Sequence, residues 1–290
     1  MPNTIAHAEK YLPIIDQIYK RESLTSVLDA QTLDWTGADT VRVMKVSGSG
    51  LGDYSRSNGF PAGDVTVAWE VLKLAEERGK EISIDRMDDE ETLGMAFGAA
   101  VNDLLTNYAA PEVDAYRFAK YASAANVGTK TAALTDSTVL DAIDAAAAEM
   151  DSQEVPETGR VLFVSSAMKG VLAKAVNRQW GSDATINTYL QGYNDMRIIY
   201  VPQARFASAV TMNSGASAFG YAKADGAKDI NFLMVHPSAV IQAVKFALPK
   251  IFSPDINQRK DAWLFQYRQY HDAFVLENKV GGVYAHLSTT

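Results

Sequence analysis

Along residues 88–125, DDEETLGMAFGAAVNDLLTNYAAPEVDAYRFAKYASAA, apolar positions return at Leu93, Phe97, Ala100, Val101, Leu104, Leu105 and Tyr108. That three-and-four spacing lays one stripe along one face and predicts the longest helix of the chain. Four acids, Asp88 to Glu91, stand at its start, where they cap free amides and complement the positive end of the helix dipole. Pro111 has no amide proton and disfavours helical dihedrals at Ala110, so a kink or break is expected there. A second helical stretch follows through Val113, Tyr116, Ala119 and Lys120.

Elsewhere the period shortens to two. VRVMKV at 41–46 alternates as a strand, and VTVAWEVLKL at 65–74 does so with Val65, Val67, Trp69 and Val71 on one face. Between them SGSGLGDYSRSNGFPAGD carries five glycines, at positions 48, 50, 52, 59 and 63. Loops this long inside compact domains are uncommon and are usually functional or disordered. An extended hairpin of this kind has little core of its own and needs another surface to lie on. EISID at 81–85 reads as a further strand after a turn at Arg78-Gly79. The first 39 residues hold one short amphipathic segment at 12–20, and either lie on a neighbour or fray.

Past the long helix, residues 126–135 read as a small-residue connection, 137–150 and 166–180 as helices, and 161–164, 197–201 and 231–235 as buried strands. Residues 203–228 are rich in Ala, Ser and Gly, with too weak a period to assign. Residues 238–246 are short and apolar, and 263–276 and 282–286 form aromatic-rich strands. The order is α+β, without an internal repeat.

At 290 residues the chain holds one large core or two subdomains. Its formal charge of −8 and pI near 5.1 argue against a surface built to neutralise phosphates. The absence of cysteine removes disulfides, thiolate nucleophiles and thiolate metal ligands together. No stretch reads as a signal peptide or a membrane span, so a soluble protein that is not exported by a signal sequence is expected.

Catalytic patterns are lookalikes. Gly48, Gly50 and Gly52 fall one residue short of a dinucleotide fingerprint and open no helix, and Gly128-Thr129-Lys130-Thr131 lacks the P-loop offsets. Ser166 and Lys169 have the SxxK spacing of an acyl-transfer enzyme, without its partner motifs. His7, His236, His271 and His286 stand in no metal-binding pattern, and His236 reads as a structural histidine. No catalytic residue, cofactor or metal is assigned.

The passage VTVAWEVLKLAEERGKEISIDRMDDEET, continuing through NYAAPEVDAYRFAKYA, and the end of the chain, INFLMVHPSAVIQAVKFALPKIFSPDINQRKDAWLFQYRQYHDAFVLENKVGGVYAH, resemble major capsid proteins of tailed double-stranded DNA bacteriophages with the Hong Kong 97-like fold. The resemblance implies an N-terminal arm (1–39), an extended hairpin loop (40–87), a peripheral domain with a long spine helix (88–134), an axial domain (135–247) and return strands of the peripheral domain (248–290). It implies a structural protein that assembles as pentamers and hexamers into an icosahedral shell around phage DNA, formed in the host cytoplasm and found in the virion. The implied partners are many copies of itself, a separate scaffolding protein, a portal, DNA held without sequence-specific contacts, and a decoration protein. An encapsulin-type nanocompartment shell is the alternative of similar fold, and a soluble Ser166–Lys169 enzyme the alternative of another class.

The features that look odd alone then have a reason, because hairpin and arm would be covered by neighbouring subunits. Tyr54, Arg56, Phe60 and Trp69 are the inter-subunit contacts expected on the hairpin; Trp69 packed inside the hairpin base is the other reading. Arg78, Asp85 and Asp88 are placed for ion pairs at that base or across subunits. Trp263, Tyr267, Arg268 and Tyr270 are either peripheral core or contacts at local symmetry axes. Some relatives link subunits through a hairpin lysine. Between Val46 and Val71 the only basic residue is Arg56, so a noncovalent shell is expected.

Overall fold

The computed structural model describes residues 23–29, 40–57, 59–91, 95–175 and 192–289. The amphipathic segment at 12–20, Leu93, and the part of the expected helix beyond Ala175 lie outside the described residues.

Strands β1 (Thr40–Gly48) and β2 (Val65–Lys73) pair antiparallel from Thr40 opposite Lys73 to Gly48 opposite Val65 and form a sheet of their own. Residues opposite one another share a face. One face therefore carries Arg42, Met44 and Val46 with Val71, Trp69 and Val67, and the other carries Val41, Val43 and Lys45 with Leu72, Glu70 and Ala68. Among the described residues the base of the second face is covered: Val41, Leu72 and Leu74, with Val43 half-buried beside them, pack with Ile241, Ala243 and Leu276.

Strand β3 (Glu76–Asp85) runs straight through the turn expected at Arg78-Gly79. Arg78 lies opposite Gln269 and Gly79 opposite Arg268. Glycine suits this position because a Cβ there would come within 3.1 Å of the Tyr267 carbonyl oxygen.

The long helical stretch starts earlier than its acids suggest and bends differently than its proline suggests. Helix α1 (Arg86–Glu91) is capped by Asp85, whose Oδ1 accepts from the Met87 amide at 3.0 Å. Helix α2 (Met95–Asp103) continues through a π-helical turn (Leu104–Ala109) into α3 (Ala110–Ser123). The break expected at Pro111 is absent, since Ala109 and Ala110 both keep right-handed helical dihedrals. The π turn supplies the reason: its wider spacing ahead of Pro111 makes room for the ring and the missing amide bond.

A short strand, β4 (Gly128–Thr131), occupies the expected connection. Helix α4 (Val139–Ser152), β5 (Val161–Ser165), a 3-10 turn (Ser166–Met168) and α5 (Lys169–Ala175) follow. Next come β6 (Gly192–Tyr193) and β7 (Met196–Val201), then a small hairpin of β8 (Val210–Met212) and β9 (Tyr221–Lys223) in the unassigned stretch. The chain ends with β10 (Ile230–Val235), β11 (Val240–Phe252), β12 (Ala262–Val275) and β13 (Val283–Leu287).

In a six-stranded sheet of order β4-β13-β10-β5-β7-β6 the inner strands β13, β10 and β5 are buried on both faces. Phe118 and Tyr121 of α3 meet Phe163, Leu233, Val235 and Ala285 on one side. Val139, Ile143, Ala146 and Met150 of α4 meet Leu162, Phe232, Met234 and Tyr284 on the other. This is why VLFV and INFLMV are apolar without alternation. A second sheet, β11-β12-β3, packs Phe265 and Tyr267 under Phe97, Val101, Leu104 and Leu105.

Candidate assembly interface

Beyond Arg42 the uncovered face of the β1–β2 ribbon is apolar. Met44, Val46, Val65, Val67, Val71 and Trp69, the last 59% exposed, are left uncovered by the described residues of their own chain. At the tip Leu51 is fully exposed, and Tyr54 and Phe60 face each other at 4.9 Å between ring centroids, with Phe60 87% exposed. A Ser55–Gly59 bridge closes the turn that holds this aromatic pair, with Gly59 at φ +80°. Arg56 is exposed in the same turn. Contiguous apolar surface of this kind on a soluble protein marks an interaction site.

The base of the hairpin is fixed by buried polar bonds. The Tyr270 hydroxyl donates to the Leu74 carbonyl at 2.9 Å, and the Ala75 amide donates to Asp272 Oδ2 at 2.9 Å. Asp272 is buried, and its other oxygen accepts from the Tyr116 hydroxyl at 2.8 Å and the Ala273 amide at 2.8 Å. Burial, then the Asp272 carboxylate, raises the Tyr116 pKa well above its ordinary value, so the hydroxyl remains a donor. Lys45 adds a surface ion pair to Glu277 at 2.5 Å.

The other contact residues expected from the sequence fall into two groups. Arg78 is committed within its own chain: it grips Glu112 through Nε at 2.6 Å and Nη2 at 3.3 Å, and donates to the Asn213 and Gly220 carbonyls at 2.7 and 3.2 Å. It thus ties β3 to α3 and to the β8–β9 hairpin. Trp263 and Tyr267 belong to the core under α2, with Trp263 5.7 Å from Phe97. Tyr270 packs partly against the hairpin base, and Asp85 is the α1 cap. Arg268, paired with Glu77, and Asp88 are exposed.

A second tether holds the chain just after residue 22 against α3. The fully buried Asp114 carboxylate accepts from the Ser23 hydroxyl and Leu24 amide, each at 2.9 Å, and from the Thr25 hydroxyl at 2.8 Å and amide at 3.3 Å. Arg205 stands 3.5 Å away, and Arg117 donates to the Thr25 hydroxyl at 2.8 Å. An aspartate within a helical stripe gives no sign in sequence of this role.

Among the described residues, the remaining titratable groups form no reaction centre. Lys169 Nζ lies over the Tyr200 ring at 5.3 Å, and Ser165, not Ser166, caps the following turn by accepting from the Ala167 amide at 3.2 Å. His236 Nδ1 is 2.8 Å from the Ser238 hydroxyl, as a structural histidine would be. His271 is buried, with no hydrogen-bond partner for either ring nitrogen among the described residues, and burial, then Arg117 and Arg78, holds its pKa down at about 3. Among the described residues no group of three or more His, Asp or Glu could hold a metal ion, and no helix is long and apolar enough to cross a membrane.

The geometry defines a binding surface, and comparison with known proteins says of what class. The fold is that of viral shells: the chain is similar to the capsid of cyanophage P-SCSP1u (TM-score 0.64, 14% identity, covering 92% of this chain and 88% of that one). It is similar also to a Mycobacterium phage Che8 structure (0.61, 15%, 89% and 94%) and to a virus-like particle from Pyrococcus furiosus (0.57, 7%, 97% and 99%). Residues 70–284 match the phage capsid protein family, and the chain belongs to that family. It is a structural shell protein. No curated protein matches it.

Proposed function

We propose that this chain assembles as pentamers and hexamers into the icosahedral capsid that encloses a double-stranded DNA phage genome. The observation that carries the reading is the uncovered apolar face of the β1–β2 ribbon, from Val71 to the Tyr54–Phe60 pair, on a base fixed by Asp272 and Tyr270. A projecting element with a rigid root and a bare apolar face is completed by another copy. In this reading the long helix α1 to α3 belongs to the peripheral domain of residues 88–134, residues 135–247 with α4 and α5 form the axial domain, and residues 248–290 are the return strands of the peripheral domain. A separate scaffolding protein, a portal and a decoration protein are the further partners, and DNA is contained without sequence-specific contact, as the net charge of −8 favours.

The nanocompartment alternative shares the fold but has no better support, because the family match is to phage capsid proteins. Membership of that family implies a structural role and weighs against the Ser166–Lys169 enzyme. Negative-stain microscopy and sedimentation of the purified chain, with and without a scaffold, test the proposal. Closed shells or capsomer rings are expected, and a persistent monomer under every condition would overturn it.

A further inference from the structure

Where β3, the π turn and the β8–β9 hairpin meet, an open cavity of about 340 Å3 is walled by two large bare rings, Tyr108 at 55% and Phe219 at 70% exposure. Its floor is Leu104 and Tyr267, both buried, and beside them the buried Gln269 accepts from the Tyr267 hydroxyl at 2.9 Å. A cleft of this size, apolar and aromatic with a few fixed polar groups, has the make-up of a small-molecule site.

The backbone sets both walls. In an unbroken α-helix the three-and-four stripe would turn Tyr108 toward the core with Leu104 and Leu105. The π turn widens the spacing there, and Tyr108 stands in solvent while Leu104 and Leu105 stay buried. Single π turns within α-helices are frequent at functional sites. The opposite wall is fixed by the loop at 213–220. The Asn213 amide donates to the Gly220 carbonyl at 2.9 Å, and the Asn213 side-chain amide to the Phe219 carbonyl at 3.2 Å. The Phe219 ring lies over Gly215, where a Cβ would come within 3.1 Å of it. Arg78 fastens this loop to α3 through Glu112 and the Asn213 and Gly220 carbonyls.

Charge selects among ligands. Of the charged groups lining the cavity, Arg78 and Glu112 offset one another, which leaves the positive charge of Lys80. Its ammonium lies 5.6 Å from the Tyr108 ring centroid and 5.1 Å from that of Phe219. A cationic ligand is repelled by it, and a neutral ring uses the walls alone. A flat ring bearing one carboxylate uses both features: the ring leaves water to lie against Tyr108 and Phe219, and the carboxylate meets the ammonium.

We propose that this cavity is a binding site for a small aromatic carboxylate, its ring held by Tyr108 and Phe219 and its charge by Lys80. Bound there, the ligand touches β3, the long helix and the β8–β9 hairpin together, and so stabilises their junction. The site does not depend on the assembly reading, and its failure would leave that reading standing.

The probe is 6-fluoro-2-naphthoate, titrated against the unassembled chain and followed by fluorine NMR. Saturable binding with a Kd of about 1 mM or tighter is expected. It should be at least fivefold tighter than binding of the matching naphthyl alcohol and at least tenfold tighter than that of the matching naphthylmethylammonium. Phe219→Ala is expected to weaken acid and alcohol alike at least fivefold. Lys80→Met is expected to remove the advantage of the acid while leaving the affinity for the alcohol within twofold; as an exposed position, it carries the test should Phe219→Ala not fold. Trp69→Ala, on the ribbon, should change none of these affinities. Absence of saturable binding at ten times that concentration, equal affinities for acid and alcohol in the wild type, or a folded Phe219→Ala variant that binds as the wild type does would each overturn the proposal.

Discussion

His271 gives the sharpest quantitative test of the interior. Its ring is buried edge-on to Tyr116 at 5.4 Å, lies opposite Glu76 on β3, and has no hydrogen-bond partner for either nitrogen among the described residues. Burial first, then the Arg117 and Arg78 charges, lowers its pKa from 6.5 to about 3. The unfolded chain therefore takes up a proton below pH 6.5 that the folded chain refuses until about pH 3. Stability from this group is complete above pH 6.5 and is lost as pH falls toward 3. From pH 7.5 to pH 4 the loss is roughly 3 kcal/mol, at ~1.36 kcal/mol per pKa unit. His271→Phe keeps a ring against Tyr116 and cannot be protonated. Urea unfolding of the unassembled chain at both pH values is expected to show the wild type losing roughly 3 kcal/mol more than the variant. Equal losses in the two proteins would refute the reasoning, since acid lability would then lie elsewhere.

Other perturbations separate the interior from the interface. Asp114→Ala leaves the amides and hydroxyls of residues 23–25 and the Arg205 charge without their acceptor; a loss of about 3 kcal/mol or more in thermal or urea unfolding is expected, with faster proteolysis near residue 23. Glu112→Ala strips Arg78 of its carboxylate and should cost about 3 kcal/mol by the same measurement. Trp69→Ala, on the bare face, should leave monomer unfolding within ~0.5 kcal/mol of wild type while weakening association by about 2 kcal/mol in sedimentation. Shells heated in sodium dodecyl sulfate should run as single chains, because Arg56 is the only basic residue between Val46 and Val71; a ladder would contradict the noncovalent reading.

Much of the architecture is legible where a period persists over many residues. Alternation in VTVAWEVLKL announces β2 and places Val65, Val67, Trp69 and Val71 on one face, the face that is bare. Punctuation misleads. Arg78-Gly79 reads as a turn, yet Gly79 is in mid-strand, where the Tyr267 carbonyl stands 3.1 Å from where a Cβ would be and leaves little room for a side chain. Pro111 reads as a break, yet the π turn ahead of it carries the helix onward. Strand β4 has four residues and a partner in β13, more than 150 positions away, so no local pattern marks it. The candidate surface is readable only in part: Phe219 lies in the stretch without a period, and Tyr108 falls on a stripe whose spacing points it inward. Whether a residue on an apolar stripe faces core or solvent depends on where the covering element stops.

The central claim is that the bare ribbon becomes covered by a sister subunit, and hydrogen exchange measured on the free chain and on assembled particles tests it most directly. Amides of β1 and β2 beyond the base, and of the turn around Phe60, are expected to exchange rapidly in the free chain and slow at least tenfold on assembly. Particles in which those amides exchange as fast as in the free chain would contradict the account.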